Sequence, residues 1–182
     1  GKYYRDKGML KGNTVVTTVM ANLGLWKAME REGIHVEKTD VGDKYVYDCM
    51  LKNGYIVGGE QSGHIIFSEY ETTGDGLVTA LALLKIMKET GRTINELCEG
   101  LKIYPQLLVN VKVTDKNQVM GDPEVQDAID QANRSLNGNG RILVRPSGTE
   151  PLLRIMAEAE TDRICEDECE RIACIIRRKY GA

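Results

Sequence analysis

Arg141-Ile142-Leu143-Val144-Arg145-Pro146-Ser147-Gly148-Thr149-Glu150-Pro151-Leu152-Leu153-Arg154-Ile155-Met156-Ala157-Glu158-Ala159 consists of two apolar runs joined by a short polar turn. Arg141 to Arg145 and Leu152 to Ala159 read as strands, and two prolines stiffen the connection. Upstream, Val125, Ala128, Ile129, Ala132 and Leu136 recur at helical intervals, and Asn137-Gly138-Asn139-Gly140 is a turn. Leu107 to Thr114 is a further strand. A last helix starts after Thr161, with Asp162 in its first turn. The order strand, helix, strand, strand, helix predicts a small α+β domain over residues 104–182.

Residues 1–103 have a different rhythm. Val15 to Met20 is rich in branched residues and reads as a strand. Asn22 is placed to cap a helix carrying Leu25, Ala28 and Met29, which Gly33 ends. Ile34 to Lys38 is a short strand. Asp40 to Lys52 is helical and stops at Asn53-Gly54. Tyr55 to Val57 enters a glycine-rich loop that Ile65 to Phe67 leaves. Asp75 caps the clearest helix, with Leu77, Leu81, Leu84 and Met87 assigned to one face and Gly91 at its end. Strands alternating with helices predict an α/β layer, and Leu101 to Gln106 is the expected boundary between the two domains.

The bulk numbers exclude several classes. With 42% hydrophobic and 28% charged residues, the 182-residue chain has a globular composition. A net charge of −3 without a basic cluster gives no field for nucleic acid. No apolar run has membrane-spanning length, and no signal peptide is present. Five cysteines without paired spacing point to reduced thiols and the cytoplasm. Cys165 and Cys169, one helical turn apart, fall in a stripe with Ile172 and Ile176, which assigns them to a core rather than a metal. The chain starts without methionine, close to a strand, and reads as a piece of something longer; a processed or tagged start would look the same.

Two loops carry chemistry. In Arg145-Pro146-Ser147-Gly148-Thr149-Glu150-Pro151, arginine offers a planar fork and Ser147 and Thr149 offer hydroxyls. Gly148 is expected to let backbone N–H groups turn inward. Such converging donors suit a phosphate, and Arg154 on the outgoing strand is placed to add to them or to lie on the surface. The same stretch also makes an ordinary hairpin connection of good turn residues. In Gly58-Gly59-Glu60-Gln61-Ser62-Gly63-His64, a carboxylate and a hydroxyl sit between glycines. A carboxylate accepts hydrogen bonds from two adjacent hydroxyls, as a sugar ring presents them. His64 is open to two roles, a proton carrier or a loop cap bonded to a backbone carbonyl.

Taken together, Gly59 to His64 and Arg145 to Pro151 resemble the sugar-recognition and phosphate-binding loops of the α-D-phosphohexomutases. Thr39-Asp40-Val41-Gly42-Asp43-Lys44-Tyr45-Val46 and Thr72-Thr73-Gly74-Asp75-Gly76-Leu77 share the likeness. The variant resembles the branch acting on glucosamine phosphate, with glucose or mannose phosphate mutases and a non-enzymatic phosphosugar-binding module as alternatives. The resemblance implies the third and fourth of four domains. It assigns sugar binding to Gly59, Glu60, Ser62, Gly63 and His64, and phosphate binding to Arg145, Ser147, Gly148, Thr149 and Arg154. His64 and Lys44 are the candidate proton-transfer residues; some relatives carry a histidine where this chain has Asp43. There is no Asp-Gly-Asp-Gly-Asp run and no Ser-His-Asn motif. The resemblance therefore places the phosphoserine and the Mg2+ ligands in N-terminal domains outside this chain, and no metal in the chain itself. It implies a phosphosugar substrate, no nucleic acid or membrane partner, and a homodimer as a candidate assembly.

Overall fold

The computed structural model describes residues 1–181. Two compact units emerge, the first Gly1–Ile103 and the second beginning at Tyr104. In the first, chain order is α1 (Lys2–Asp6), β1 (Thr14–Thr18), α2 (Leu23–Arg31), β2 (His35–Thr39), α3 (Asp43–Asn53), β3 (Val57–Gly59), β4 (Ile65–Phe67), α4 (Gly76–Thr90) and α5 (Ile94–Leu97). The sheet order is β2-β1-β3-β4. β1 runs parallel to β2 and β3, and β4 returns antiparallel beside β3.

All five residues of β1 are buried, as a strand covered on both faces requires. Alternation sends Val15 to a cluster with Tyr4, Leu10 and Ile34, and Val16 to one with Val46, Met50 and Ile66. The caps follow local chemistry. Asn22 accepts the N–H of Gly24, and Asp75 accepts that of Val78. Gly54 and Gly91 end α3 and α4 in the left-handed conformation.

The leucines expected along one face of α4 do share a side, but that side is exposed rather than packed inward. Its inward side carries Val78, Ala82, Leu83 and Ile86, each half-buried. Leu77, Leu81 and Leu84 are 78%, 67% and 58% exposed. The helix is apolar nearly all round through Leu84, so leucine spacing did not distinguish its two sides.

The second unit holds β5 (Gln106–Lys112), α6 (Lys116–Met120), α7 (Pro123–Leu136), β6 (Arg141–Pro146), β7 (Leu152–Glu158) and α8 (Asp162–Tyr180). Its antiparallel sheet has the order β5-β7-β6. The short α6 interrupts the expected five-element order; Asp115 caps it by accepting two backbone N–H groups. Central β7 is buried at every position but Arg154. Cys165, Cys169, Ile172 and Ile176 of α8 all enter the core under the sheet. Burial pushes the Cys169 thiol up to about 11. Among the described residues no helix is long and apolar enough to cross a membrane.

Asp122 clips α7 to the end of α8. Its carboxylate accepts the N–H groups of Glu124 and Val125, and the Lys179 ammonium at 2.6 Å. The Tyr180 hydroxyl donates to it as well. Lys179 first, then Tyr180, holds the Asp122 carboxyl far below its ordinary 3.8. A depressed folded-state pKa contributes stability that is fully present above the unfolded value and lost as pH falls through it. Asp122→Asn should therefore be less stable at neutral pH, with a shallower loss of stability on acidification. Urea unfolding from neutral pH down to about pH 3 checks this; superimposable acid limbs would contradict it.

Candidate active site

The loop between β3 and β4 is a closed hairpin. Val57 pairs with Phe67, Gly58 with Ile66 and Gly59 with Ile65. Glu60 N–H donates to the His64 carbonyl at 3.0 Å, and Gly63 N–H to the Glu60 carbonyl at 3.1 Å. Two of the glycines have reasons internal to the fold. A Cβ on Gly58 would lie 2.4 Å from Met50 Sδ and 2.8 Å from Val46 Cγ1, because α3 packs directly on the strand. Gly63 has φ +100, which side-chain-bearing residues rarely adopt.

Within this hairpin three side chains connect. Ser62 Oγ lies 2.8 Å from Glu60 Oε1 and 2.8 Å from His64 Nδ1. Glu60 keeps 10% of its side chain exposed and His64 52%. A hydroxyl has one hydrogen. With Ser62 donating it to the carboxylate, its oxygen accepts from His64, so Nδ1 carries the proton. The neutral ring then keeps its lone pair on Nε2, the state a proton acceptor needs. His64 thus has one side-chain hydrogen-bond partner, Ser62, and among the described residues no bond from its ring to a backbone carbonyl. Gly74 supplies a contact that sequence reading missed: its Cβ would lie 2.9 Å from His64 Cβ, so the turn before α4 packs against the histidine.

This hairpin follows the carboxyl end of β3. The turns after β1 and β2, with the N-termini of α2 and α3, leave the same edge of the parallel strands, and Gly74 brings the start of α4 there. Open α/β sheets bind ligands at this edge, where helix N-termini favour negative charge. Lys44, in the first turn of α3, is exposed. Among the described residues no hydrogen bond joins its ammonium to Glu60 or His64.

The second loop is built on the register of β6 and β7. Arg141 pairs with Glu158 at one end and Arg145 with Arg154 at the other. The first pair is a buried ion pair at 2.6 Å. The second sets two arginines directly opposite each other, a like-charge pairing that costs free energy, and the exposed Glu150 carboxylate lies 3.5 Å from Arg154 Nη2. The Nε atoms of both are buried and without a hydrogen-bond partner among the described residues. Burial first, then Arg154, lowers the pKa of Arg145.

The turn is held from within. Ser147 is 1% exposed, and its Oγ accepts from Glu150 N–H at 3.3 Å and Arg154 Nη2 at 3.5 Å. Its own hydrogen remains to donate. Lys116, absent from the sequence reading, donates to the carbonyls of Ser147 at 2.7 Å and Glu150 at 3.3 Å. No local pattern marks a lysine some thirty residues upstream as the loop's anchor. Thr149 and Gly148 are exposed. Gly148 lies outside the left-handed region and a Cβ there would meet no protein atom within 4 Å, so the fold itself does not require glycine at this position. Among the described residues no group of three or more His, Cys, Asp or Glu side chains is placed to hold a metal ion.

Against known proteins, the family model for phosphoglucomutase/phosphomannomutase alpha/beta/alpha domain III matches residues 1–104, and that for the C-terminal domain residues 108–174. The chain belongs to the phosphoglucomutase/phosphomannomutase family. It is 58% identical over 181 residues to a phosphoglucosamine mutase of Anoxybacillus flavithermus and 56% identical over 180 residues to one of Geobacillus kaustophilus. Those matches cover 100% and 99% of this chain but 40% of each relative. Among solved structures it is similar to an Aspergillus fumigatus N-acetylphosphoglucosamine mutase in complex with glucose 1,6-bisphosphate, with TM-score 0.77 and 24% identity over 100% of this chain and 42% of that one. The same fungal enzyme with GlcNAc-6P and magnesium gives TM-score 0.74 and 23% identity, over 96% of this chain and 41% of that one. At this identity the likeness establishes the fold.

The two glycine environments give opposite expectations. Gly58→Ala should destabilise the chain by about 1–3 kcal/mol, the usual cost of overpacking. Gly148→Ala should stay within about 0.5 kcal/mol. Urea midpoints of the two variants decide it, and equal midpoints would contradict the packing account.

Proposed function

We propose that this chain is the C-terminal, ligand-recognising part of a phosphoglucosamine mutase, which interconverts glucosamine 6-phosphate and glucosamine 1-phosphate. The observation that carries the reading is the Arg145–Arg154 pair, two cations opposed across a rigid ladder with buried, unpartnered Nε atoms. A phosphate relieves their repulsion and accepts from both forks, with Ser147 and Thr149 adding hydroxyl donors. The substrate comes from the relatives' names, which apply along the whole chain at more than half identity.

In this reading Glu60 accepts hydrogen bonds from ring hydroxyls, and Ser62 holds both Glu60 and His64 in place. His64 Nε2 is the group of this loop able to take a proton from a hydroxyl. Phosphoryl transfer depends chiefly on positioning and charge stabilisation, which these two loops supply through fixed donors and acceptors. The phosphoryl donor lies in the part of the enzyme that this chain does not span. Magnesium assists such transfers by neutralising charge on the phosphoryl oxygens, and the described residues offer it no donor set.

Calorimetric titration with glucosamine 6-phosphate and with inorganic phosphate tests the assignment. Arg145→Ala should weaken both by about 1.5–3 kcal/mol, the range for hydrogen bonds to charged groups. Glu60→Gln should weaken only the sugar phosphate. Unchanged heats in Arg145→Ala would refute the phosphate site, and rapid mutase turnover by the unextended chain would refute the division of labour. A strong preference of the complete enzyme for glucose or mannose phosphate would move it to another branch of the family.

A further inference from the structure

We propose that the outward face of α4 is the seat on which the upstream part of the complete enzyme packs, a contact that rests on reading this chain as the C-terminal part of a longer mutase. Leu77, Leu81 and Leu84 form a stripe at helical spacing and are each more than half exposed. Beside it a groove of about 240 Å³ is lined by Tyr70, Val78, Leu81, Ala82 and Lys85. From Gly76 to Leu84 the helix has no charged residue. A helix apolar all round is a buried helix, and a contiguous exposed stripe of leucines marks a contact surface.

The occupant follows from the relatives and from the charge at the edge of the stripe. Relatives at 58% and 56% identity match this chain over essentially its whole length while extending well beyond it. The matched segments are domain III and the C-terminal domain, which places the remainder upstream. Lys85 and Lys88 continue the leucine stripe one turn on. Two copies meeting face to face about a two-fold axis would press those ammonium groups against the uncharged Gly76–Leu84 half of the partner helix. Burying them there without a carboxylate is costly. The surface therefore fits an apolar patch bordered by carboxylates, on a different part of the same polypeptide.

The test joins the upstream part of the Anoxybacillus flavithermus relative to Gly1 and compares this hybrid with the 182-residue chain. Backbone hydrogen exchange across residues 76–90 should slow on the order of tenfold or more in the hybrid. Leu81→Glu with Leu84→Glu should leave the melting temperature of the short chain unchanged, while lowering that of the hybrid and removing its added protection. Supplied as a separate polypeptide, the upstream part should bind the short chain and lose affinity for the substituted one. Equal exchange in an active hybrid overturns the proposal and leaves the assigned function standing. A protected α4 in an inactive hybrid upholds the contact and counts against the function. Concentration-dependent pairing of the short chain that the substitutions abolish would assign the face to a second copy and overturn it.

Discussion

Like charges opposed on neighbouring strands are unfavourable, and the β6–β7 ladder holds Arg145 against Arg154. Its register cannot slip to relieve them, because a one-residue shift would turn Leu153 and Ile155 out of the core and break the buried Arg141–Glu158 pair. Separating that ion pair alone would cost about 3–5 kcal/mol. Identical cross-strand geometry is thus closed by a buried carboxylate at one end, while at the other two arginines share one exposed carboxylate, Glu150, 3.5 Å from Arg154. The neutral end, with the core beneath it, maintains the strain of the charged end. An anion-binding site built this way requires little reorganisation when charge arrives.

The turn beyond these arginines depends on them in return. Ser147 is buried because its backbone closes the hairpin onto Leu152, and its hydroxyl oxygen then faces the Arg154 fork. Lys116 holds the outer side through two carbonyls. The loop's shape is therefore set by the Ser147 hydroxyl within the turn and by Lys116 from outside it. That explains why Gly148 needs no unusual backbone angle: nothing about the turn demands one.

Much of this was legible in the sequence, and the gaps have physical causes. Helix ends were legible because capping is local: Asn22, Asp75, Gly54 and Gly91 act within a few residues of themselves. The Cys165–Ile176 stripe was legible because polar residues flank it, giving α8 one apolar side. In α4 that contrast is absent up to Leu84, so sequence spacing identified the helix without orienting it. Lys116 and Gly74 were illegible as parts of the two loops for a different reason. Each acts on a segment distant in sequence, and only the fold brings Gly74 to His64 or Lys116 to Ser147. The glycines of the first hairpin were noticed for a reason that proved incomplete: Gly58 is small to admit Met50 and Val46, whatever binds at the loop.

That packing bears on the chemistry of His64. The hairpin is pressed against α3 through Gly58 and against the start of α4 through Gly74, so its backbone has little freedom. Glu60, Ser62 and His64 are then spaced by the hairpin rather than by a ligand, at 2.8 Å for each hydroxyl contact. Because the Ser62 hydrogen goes to Glu60, the ring is left with Nδ1 protonated. The carboxylate thereby sets the histidine's tautomer without touching it within hydrogen-bond distance, since Glu60 Oε1 and Nδ1 are 3.5 Å apart. A carboxylate has further lone pairs, so Glu60 can accept from a ligand hydroxyl while Oε1 keeps the Ser62 hydrogen. The carboxylate and the tautomer of the histidine are linked through one hydroxyl.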